Sequence, residues 1–237
     1  MSQSQKNANG KSILVVAAHP DDEILGCGAT MARHAAHGDH VRVLLMAEGM
    51  TSRRWPAPPA DRDRRLLVKL TQGARRANDI VGSSSVEFGG FPDNRMDSMD
   101  LLSVIKRVEQ TIERFRPEVV YTHHAADVNI DHQITHQAVL TACRPIPGHP
   151  VKRLLFSEVV SSTHWQNARR APFSPTWFID VSHTLALKLK ALRAYSLEMR
   201  SWPHARSYKA VEALARWRGS VVGCEAAEAF ETGRILE

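Results

Sequence analysis

Two short stretches concentrate the side chains that could do chemistry. The first is His19-Pro20-Asp21-Asp22-Glu23; the second runs from His123 to His136 and carries His123, His124, Asp127, Asn129, Asp131, His132 and His136. Imidazole and carboxylate both bind first-row metal ions, and the His19–Asp22 spacing can turn both groups onto one ion. His132 and His136 stand four apart, a ligand spacing on one helix face, although the Glu of a His-Glu-x-x-His motif is absent. One imidazole of the second stretch, His132 first among them, would complete a His/Asp/His set. Three protein ligands leave a fourth position for water, as in catalytic rather than structural zinc sites. Asp21 adjoins a ligand without being needed as one. It is free to take a proton from that water, whose pKa zinc lowers to roughly 7.

The plainer reading is local. Carboxylates at a helix start suit the free N–H groups and the positive end of the dipole, and Glu23 fits that role as well as any other. His136, with one of His123 and His124, fits a packed or helix-surface residue. A cap uses one oxygen, however, and nothing in capping asks for a His before a Pro.

The elements that must hold these groups are strands and helices in alternation. Ile13 to Ala18 is a continuous apolar run, the pattern of a strand buried on both faces, and Pro20 stops it. A helix over Glu23–His37 follows, with Gly38 as its stop. The next strand is Val41–Ala47, then a loop through Glu48-Gly49-Met50-Thr51-Ser52-Arg53-Arg54 and a Pro-rich segment at 55–60. Helix 61–81, strand 86–91, helix 98–115, strand 119–122 and helix 130–143 complete four strand–helix repeats, which predict a doubly wound parallel sheet. Ligands of such sheets bind at the carboxyl ends of the strands, where both reactive stretches fall. In the last third, strands 154–160 and 176–181 and helices 184–198 and 208–222 are expected.

The chain has 237 residues, 43% hydrophobic, which suits one α/β domain over 12–237 after a polar, disordered arm at 1–11. The formal charge of +6, without a long Lys/Arg block and with 6% aromatics, argues against nucleic acid. It leaves room for an anionic small-molecule handle, with Pro203-His204-Ala205-Arg206-Ser207 as its candidate seat. Three scattered cysteines, no signal-peptide pattern and no apolar run near ~20 residues point to a cytoplasmic protein without a transmembrane segment. The helical C-terminal part could be an interface of a homo-oligomer.

The stretch Ala18-His19-Pro20-Asp21-Asp22-Glu23, with the later Asp131-His132, resembles the zinc-dependent N-acetyl-sugar deacetylases of the PIG-L/LmbE-like family. The resemblance covers most of residues 12–140. It implies a Rossmann-like three-layer α/β/α fold with a mostly parallel sheet, to which the C-terminal strands and helices are additions. It also implies one Zn²⁺ on His19, Asp22 and His132, with Asp21 as general base and as acid toward the leaving amine. The implied substrate is a small N-acetyl sugar conjugate. The loop at 49–53 is similar to the family's loop after its second strand and puts Arg53 near substrate. Phe91-Pro92-Asp93 is similar to the loop after the third strand and puts Asp93 on sugar hydroxyls. Many members read His-Pro-Asp-His at the third ligand, with the first His on the oxyanion; this chain reads Asn129-Ile130-Asp131-His132. Asn129 donates only a neutral hydrogen bond, so the role falls to Asn129 or to His124 or His136, with Asp131 orienting a ligand or donor from behind.

Other readings keep part of this picture. Fe²⁺ also suits two imidazoles and a carboxylate, and the scissile bond could be another amide, as in a thiol-sugar conjugate. A receiver-like regulatory domain would place Mg²⁺ on Asp21 and Asp22, but His19 is a poor ligand for a hard cation. A non-catalytic scaffold would be expected to have lost the base or a ligand, and all four positions are intact.

Overall fold

A computed structural model describes residues 10–54, 61–165 and 171–237, without the side chains of 53, 54 and 61–63. The proposed arm up to residue 9, the Pro-rich segment at 55–60 and the Arg53 side chain therefore lie outside the described residues. At the edge of the arm, the Lys11 backbone already donates to Asp39 and accepts from His40.

Seven strands form one sheet in the order β3-β2-β1-β4-β5-β7-β6. They are β1 (Ser12–Ala17), β2 (His40–Ala47), β3 (Ser85–Phe91), β4 (Val119–His123), β5 (Arg153–Ser157), β6 (Trp177–Asp180) and β7 (Ala227–Ile235). The pairs from β3 through β5 are parallel, and β7 runs antiparallel to both β5 and β6. The helices are α1 (Asp22–Ala36), α2 (Asp61–Val81), α3 (Leu101–Phe115), α4 (Ile130–Ala142), α5 (Leu185–Leu192) and α6 (Tyr208–Val222).

Strand β1 shows why the layers number three. Its side chains alternate, Ile13, Val15 and Ala17 entering one core and Leu14 and Val16 the other. The first core is closed by α1, α2, α5 and α6, the second by α3 and α4. The chain leaves β1 toward the first face and the neighbouring β4 toward the second. The two reactive stretches flank that divergence, where open α/β sheets bind ligands.

The alternation of strand and helix through residue 142 agrees with the sequence pattern to within a few residues. The C-terminal third differs. Strand β5 stops at Ser157, and Val159 turns away with its N–H on Thr163 Oγ1 at 2.8 Å. Helix α5 ends at Leu192 and continues only as a 3-10 turn to Tyr195. Strand β7 was not anticipated. It carries a buried Glu228, and its Gly233 lies against the Phe156 ring so closely that a Cβ would stand 2.5 Å from Cζ. Neither residue reads as strand on its own.

Glu228 is buried because α1 is broken. Cys27 leaves helical geometry at φ −146°, which frees backbone groups on either side. The Glu228 carboxylate accepts from the N–H groups of Ala29 (3.1 Å) and Thr30 (2.7 Å), and Lys188 Nζ donates to Leu25 O (2.7 Å). Lys188 and Glu228 pair at 2.6 Å, so the break is spliced by an ion pair from α5 and β7. No helix among the described residues is long and apolar enough to cross a membrane.

Removing one partner of a buried ion pair leaves the other charge uncompensated. Lys188→Met is expected to destabilise the protein by about 3–5 kcal/mol in urea denaturation, and adding Glu228→Gln should recover part of that loss.

Candidate metal centre

The turn from β1 into α1 is built by its own acids. Asp22 Oδ2 accepts from the backbone N–H of His19 at 2.9 Å, and Glu23 Oε2 accepts from that of Asp21 at 3.0 Å. The Asp21 side chain itself makes no capping bond, and its backbone sits at φ 120°. Conformations this rare for a residue with a Cβ cost of order 1–3 kcal/mol and collect at functional sites. Glu23 is the cap-like acid of the plainer reading. Tyr195 Oη and Asn78 Nδ2 also bond its carboxylate, and burial pushes that group up to about 7 against these hydrogen bonds.

His19, Asp22 and His132 converge. Asp22 Oδ2 lies 3.0 Å from His19 Nδ1 and 2.9 Å from His132 Nε2. Each imidazole is backed by a carboxylate on its other nitrogen: His19 Nε2 meets Asp131 Oδ2 at 3.0 Å, and His132 Nδ1 meets Asp127 Oδ2 at 3.2 Å. Both nitrogens of each ring thus face a carboxylate; with a cation at the centre, Asp131 and Asp127 would keep the protons on the far nitrogens and leave the lone pairs of His19 Nδ1 and His132 Nε2 beside Asp22. Three acceptors then face one point. Asp22 Oδ1 and His132 Nε2 are buried without a hydrogen-bond partner. Asp21, Asp22, Asp93, Asp127 and Asp131 are all buried in this region. Burial disfavours charge on His132, yet Asp22 and Asp127 override it and raise the imidazole to about 9. The same carboxylates fit a divalent cation on His19 Nδ1, Asp22 and His132 Nε2. A second set, His19, Asp93 and Asp131, also lies within reach of one ion. It would use the His19 nitrogen already committed to Asp131, so the first set is the better fit.

The remaining predicted residues fall around this point. Asp131 takes three donors, His19 Nε2, Asn94 N (2.6 Å) and Met96 N (2.9 Å), the arrangement of an orienting carboxylate. Asn129 caps α4, its side-chain oxygen accepting from Asp131 N at 2.9 Å while Nδ2 donates to Asn94 at 3.0 Å. Asp93 lies 3.3 Å from His19 Nε2 and is bonded by Ser52 and Asn94. Of the other histidines, His124 is engaged by Glu231 (2.6 Å) and Ala171 O (3.2 Å), and His136 by His123 O (2.8 Å). His123 stacks on His132 with ring centroids 3.9 Å apart. Burial and the neighbouring His132 push it down to about 3, and its neutral Nε2 accepts from Ala18 N at 2.7 Å.

Three participants had no predicted role, and a fourth, Arg206, was expected in a different one. Asp127 was visible in the second stretch, yet only the folded loop shows it behind His132, with Ser162 (3.0 Å) and Thr163 (2.7 Å) holding it. Donors around it outweigh burial and keep its carboxyl at about 2. Glu48 accepts from Met50, Thr51 and Asp93 N–H groups and so ties the loops after β2 and β3 together. Ser52 bonds Asp93. Arg206 points inward, NH1 to Asp21 Oδ2 at 2.8 Å, instead of offering a seat to an anionic handle.

Comparison with known proteins now decides the family. The family described as GlcNAc-PI de-N-acetylase (PIG-L) matches residues 14–143. The chain belongs to the PIG-L family. Within it, this PIG-L member is 32% identical over 142 residues to the uncharacterized deacetylase YaiS of Escherichia coli K12, covering 58% of this chain and 70% of that one. It is 23% identical over 189 residues to the probable N-acetyl-alpha-D-glucosaminyl L-malate deacetylase 2 of Bacillus anthracis, covering 79% and 81%. The fold also matches the crystal structure of GalB, the 4-carboxy-2-hydroxymuconate hydratase of Pseudomonas putida KT2440. There the TM-score is 0.74 at 21% identity, over 96% of this chain and 98% of that one.

Carboxylates behind metal-binding imidazoles typically carry 10–100-fold in affinity. Asp127→Asn is expected to weaken zinc binding by about that factor in competition with a chromophoric chelator, with the fold unchanged by circular dichroism.

Proposed function

We propose that this PIG-L member is a zinc-dependent N-deacetylase that hydrolyses the acetamide of an N-acetylated amino sugar conjugate. The observation that carries the reading is the convergence of two carboxylate-backed imidazoles on Asp22, with the unliganded Asp21 beside them on a strained turn. Deacetylase relatives and a family described by deacetylation of a GlcNAc conjugate support the same chemistry.

A zinc ion on His19, Asp22 and His132 would supply Lewis-acid polarisation of the acetyl carbonyl and acidify a water. Asp21 is the general base. Burial, together with the neighbouring acids Asp22, Glu198 and Glu23, raises its carboxyl well above the usual range, with Arg206 opposing. Asp21 takes the proton of the attacking water and returns it to the amine nitrogen as the C–N bond breaks, so acetate and a free amine leave. Of the three oxyanion candidates, His124 is engaged at both nitrogens, and His136, kept neutral by burial, spends its one N–H on His123 O. Asn129 bonds Asn94 with one N–H and keeps a second for the oxyanion. Asp131 holds the His19 ring. Asp93 receives sugar hydroxyls, and Arg53, whose backbone alone is described within the turn at Thr51–Arg54, keeps the substrate role that the family resemblance implies.

The hydratase on the same fold makes water addition to a carbon–carbon double bond the second reading, since it would use the same base and water. Both readings are separated by one panel. Zinc-loaded protein should release acetate from at least one of free, nucleotide-linked, inositol-linked or malate-linked N-acetylglucosamine. Asp21→Asn should lower that release by about 10²–10⁴-fold while zinc stoichiometry holds. Loss of absorbance from an unsaturated dicarboxylate, without acetate from any sugar, would install the hydratase reading instead.

A further inference from the structure

Four residues other than glycine have positive φ among the described residues, and three of them lie at this site: Asp21 (120°), Ser161 (72°) and Asn94 (50°). The fourth, Arg116 (43°), ends α3. Asn94 has a local reason for its conformation, because its N–H reaches Asp131. Asp21 and Ser161 lie 140 positions apart in sequence and are joined by one side chain. Arg206 donates from NH1 to Asp21 Oδ2 at 2.8 Å and from Nε to Ser161 Oγ at 2.7 Å.

Arg206 is itself well anchored. Its N–H donates to His204 Nδ1 at 3.0 Å, and the next residue, Ser207, caps α6 through Ala210 N at 3.1 Å. The Arg206 side chain is mostly buried, 23% exposed, and Glu198 lies 3.8 Å from NH1. Asp21 is held at three of its four polar atoms: its N–H by Glu23, its C=O by Ile24 and Leu25, and Oδ2 by Arg206. Its Oδ1 has no hydrogen-bond partner among the described residues. A rare backbone conformation persists only where its surroundings over-determine it, and a planar guanidinium bridges two fixed acceptors with a rigid fork that a lysine ammonium lacks.

We propose that Arg206 is a positioning residue for the Asp21 base. It clamps Asp21 Oδ2 against the strained loop at Ser161 and leaves Oδ1 as the oxygen that meets the water. The inference rests on the base role given to Asp21 above. It differs from an anion-binding role in what it predicts: a positioning residue acts on turnover, whereas a group that holds the substrate's handle acts on KM.

The test combines kinetics with a stability cycle on the zinc-loaded protein. Arg206→Gln should lower kcat by at least about tenfold, with KM and zinc stoichiometry nearly unchanged. Arg206→Lys should recover part of kcat, and Ser161→Ala should fall between wild type and Arg206→Gln. In thermal unfolding, the loss of Tm caused by Arg206→Gln should shrink markedly when Asp21 is already Asn, because the two share one contact. A raised KM with kcat intact, or Tm losses that simply add, would overturn the proposal. If the wild type releases acetate from no sugar, the deacetylase reading fails on its own, and the thermal cycle still decides the clamp.

Discussion

The structure depends on one electrostatic constraint: two imidazoles are buried among three carboxylates. Asp22 Oδ2 meets one nitrogen of each imidazole, and Asp127 and Asp131 take the other. In a medium that screens poorly, such an arrangement needs positive charge at its centre. Most of the polar detail around the site serves to hold those carboxylates in place. Ser162 and Thr163 hold Asp127, Asn94 and Met96 hold Asp131, and the His19 backbone holds Asp22.

The same constraint explains why the site sits where the chain diverges. Strands β1 and β4 lie side by side, and their helices leave toward opposite faces. The acids of the α1 turn and the imidazole of α4 can therefore meet across the gap without a helix between them. The helix that carries Asp22 is itself broken at Cys27, and Lys188 with Glu228 splices it from α5 and β7. Tyr195, from the turn after α5, bonds Glu23, and Arg206, before α6, bonds Asp21. The C-terminal third is thus part of the site's support rather than an addition to a finished domain.

Legibility in the sequence followed the range of the interactions. The parallel half was readable because a strand buried on both faces is a continuous apolar run, and each following helix carries its own periodicity and Gly or Pro stop. His19 and Asp22 stood out because their residue types and close spacing are chemically distinctive, whereas the meeting of His132 with Asp22, 110 positions away, is a contact of the fold. Strand β7 was not readable, since its buried Glu228 answers a helix break some 200 positions earlier and its Gly233 answers the Phe156 ring. The over-long strand ending at Val160 shows the same limit: apolar residues in a buried loop look like strand until their hydrogen bonds are known.

By itself, the sequence determined the α/β alternation, the family signature in Ala18–Glu23 and the kinds of side chain available for chemistry. These are properties of local pattern and residue type. Only the tertiary structure decided which nitrogen of each imidazole faces Asp22, because that depends on where Asp127 and Asp131 stand. It alone also chose His19 as the ring that Asp131 orients, and aimed Arg206 at Asp21 instead of at solvent. Each of these is set by contacts across tens to hundreds of residues, which no window of the sequence contains.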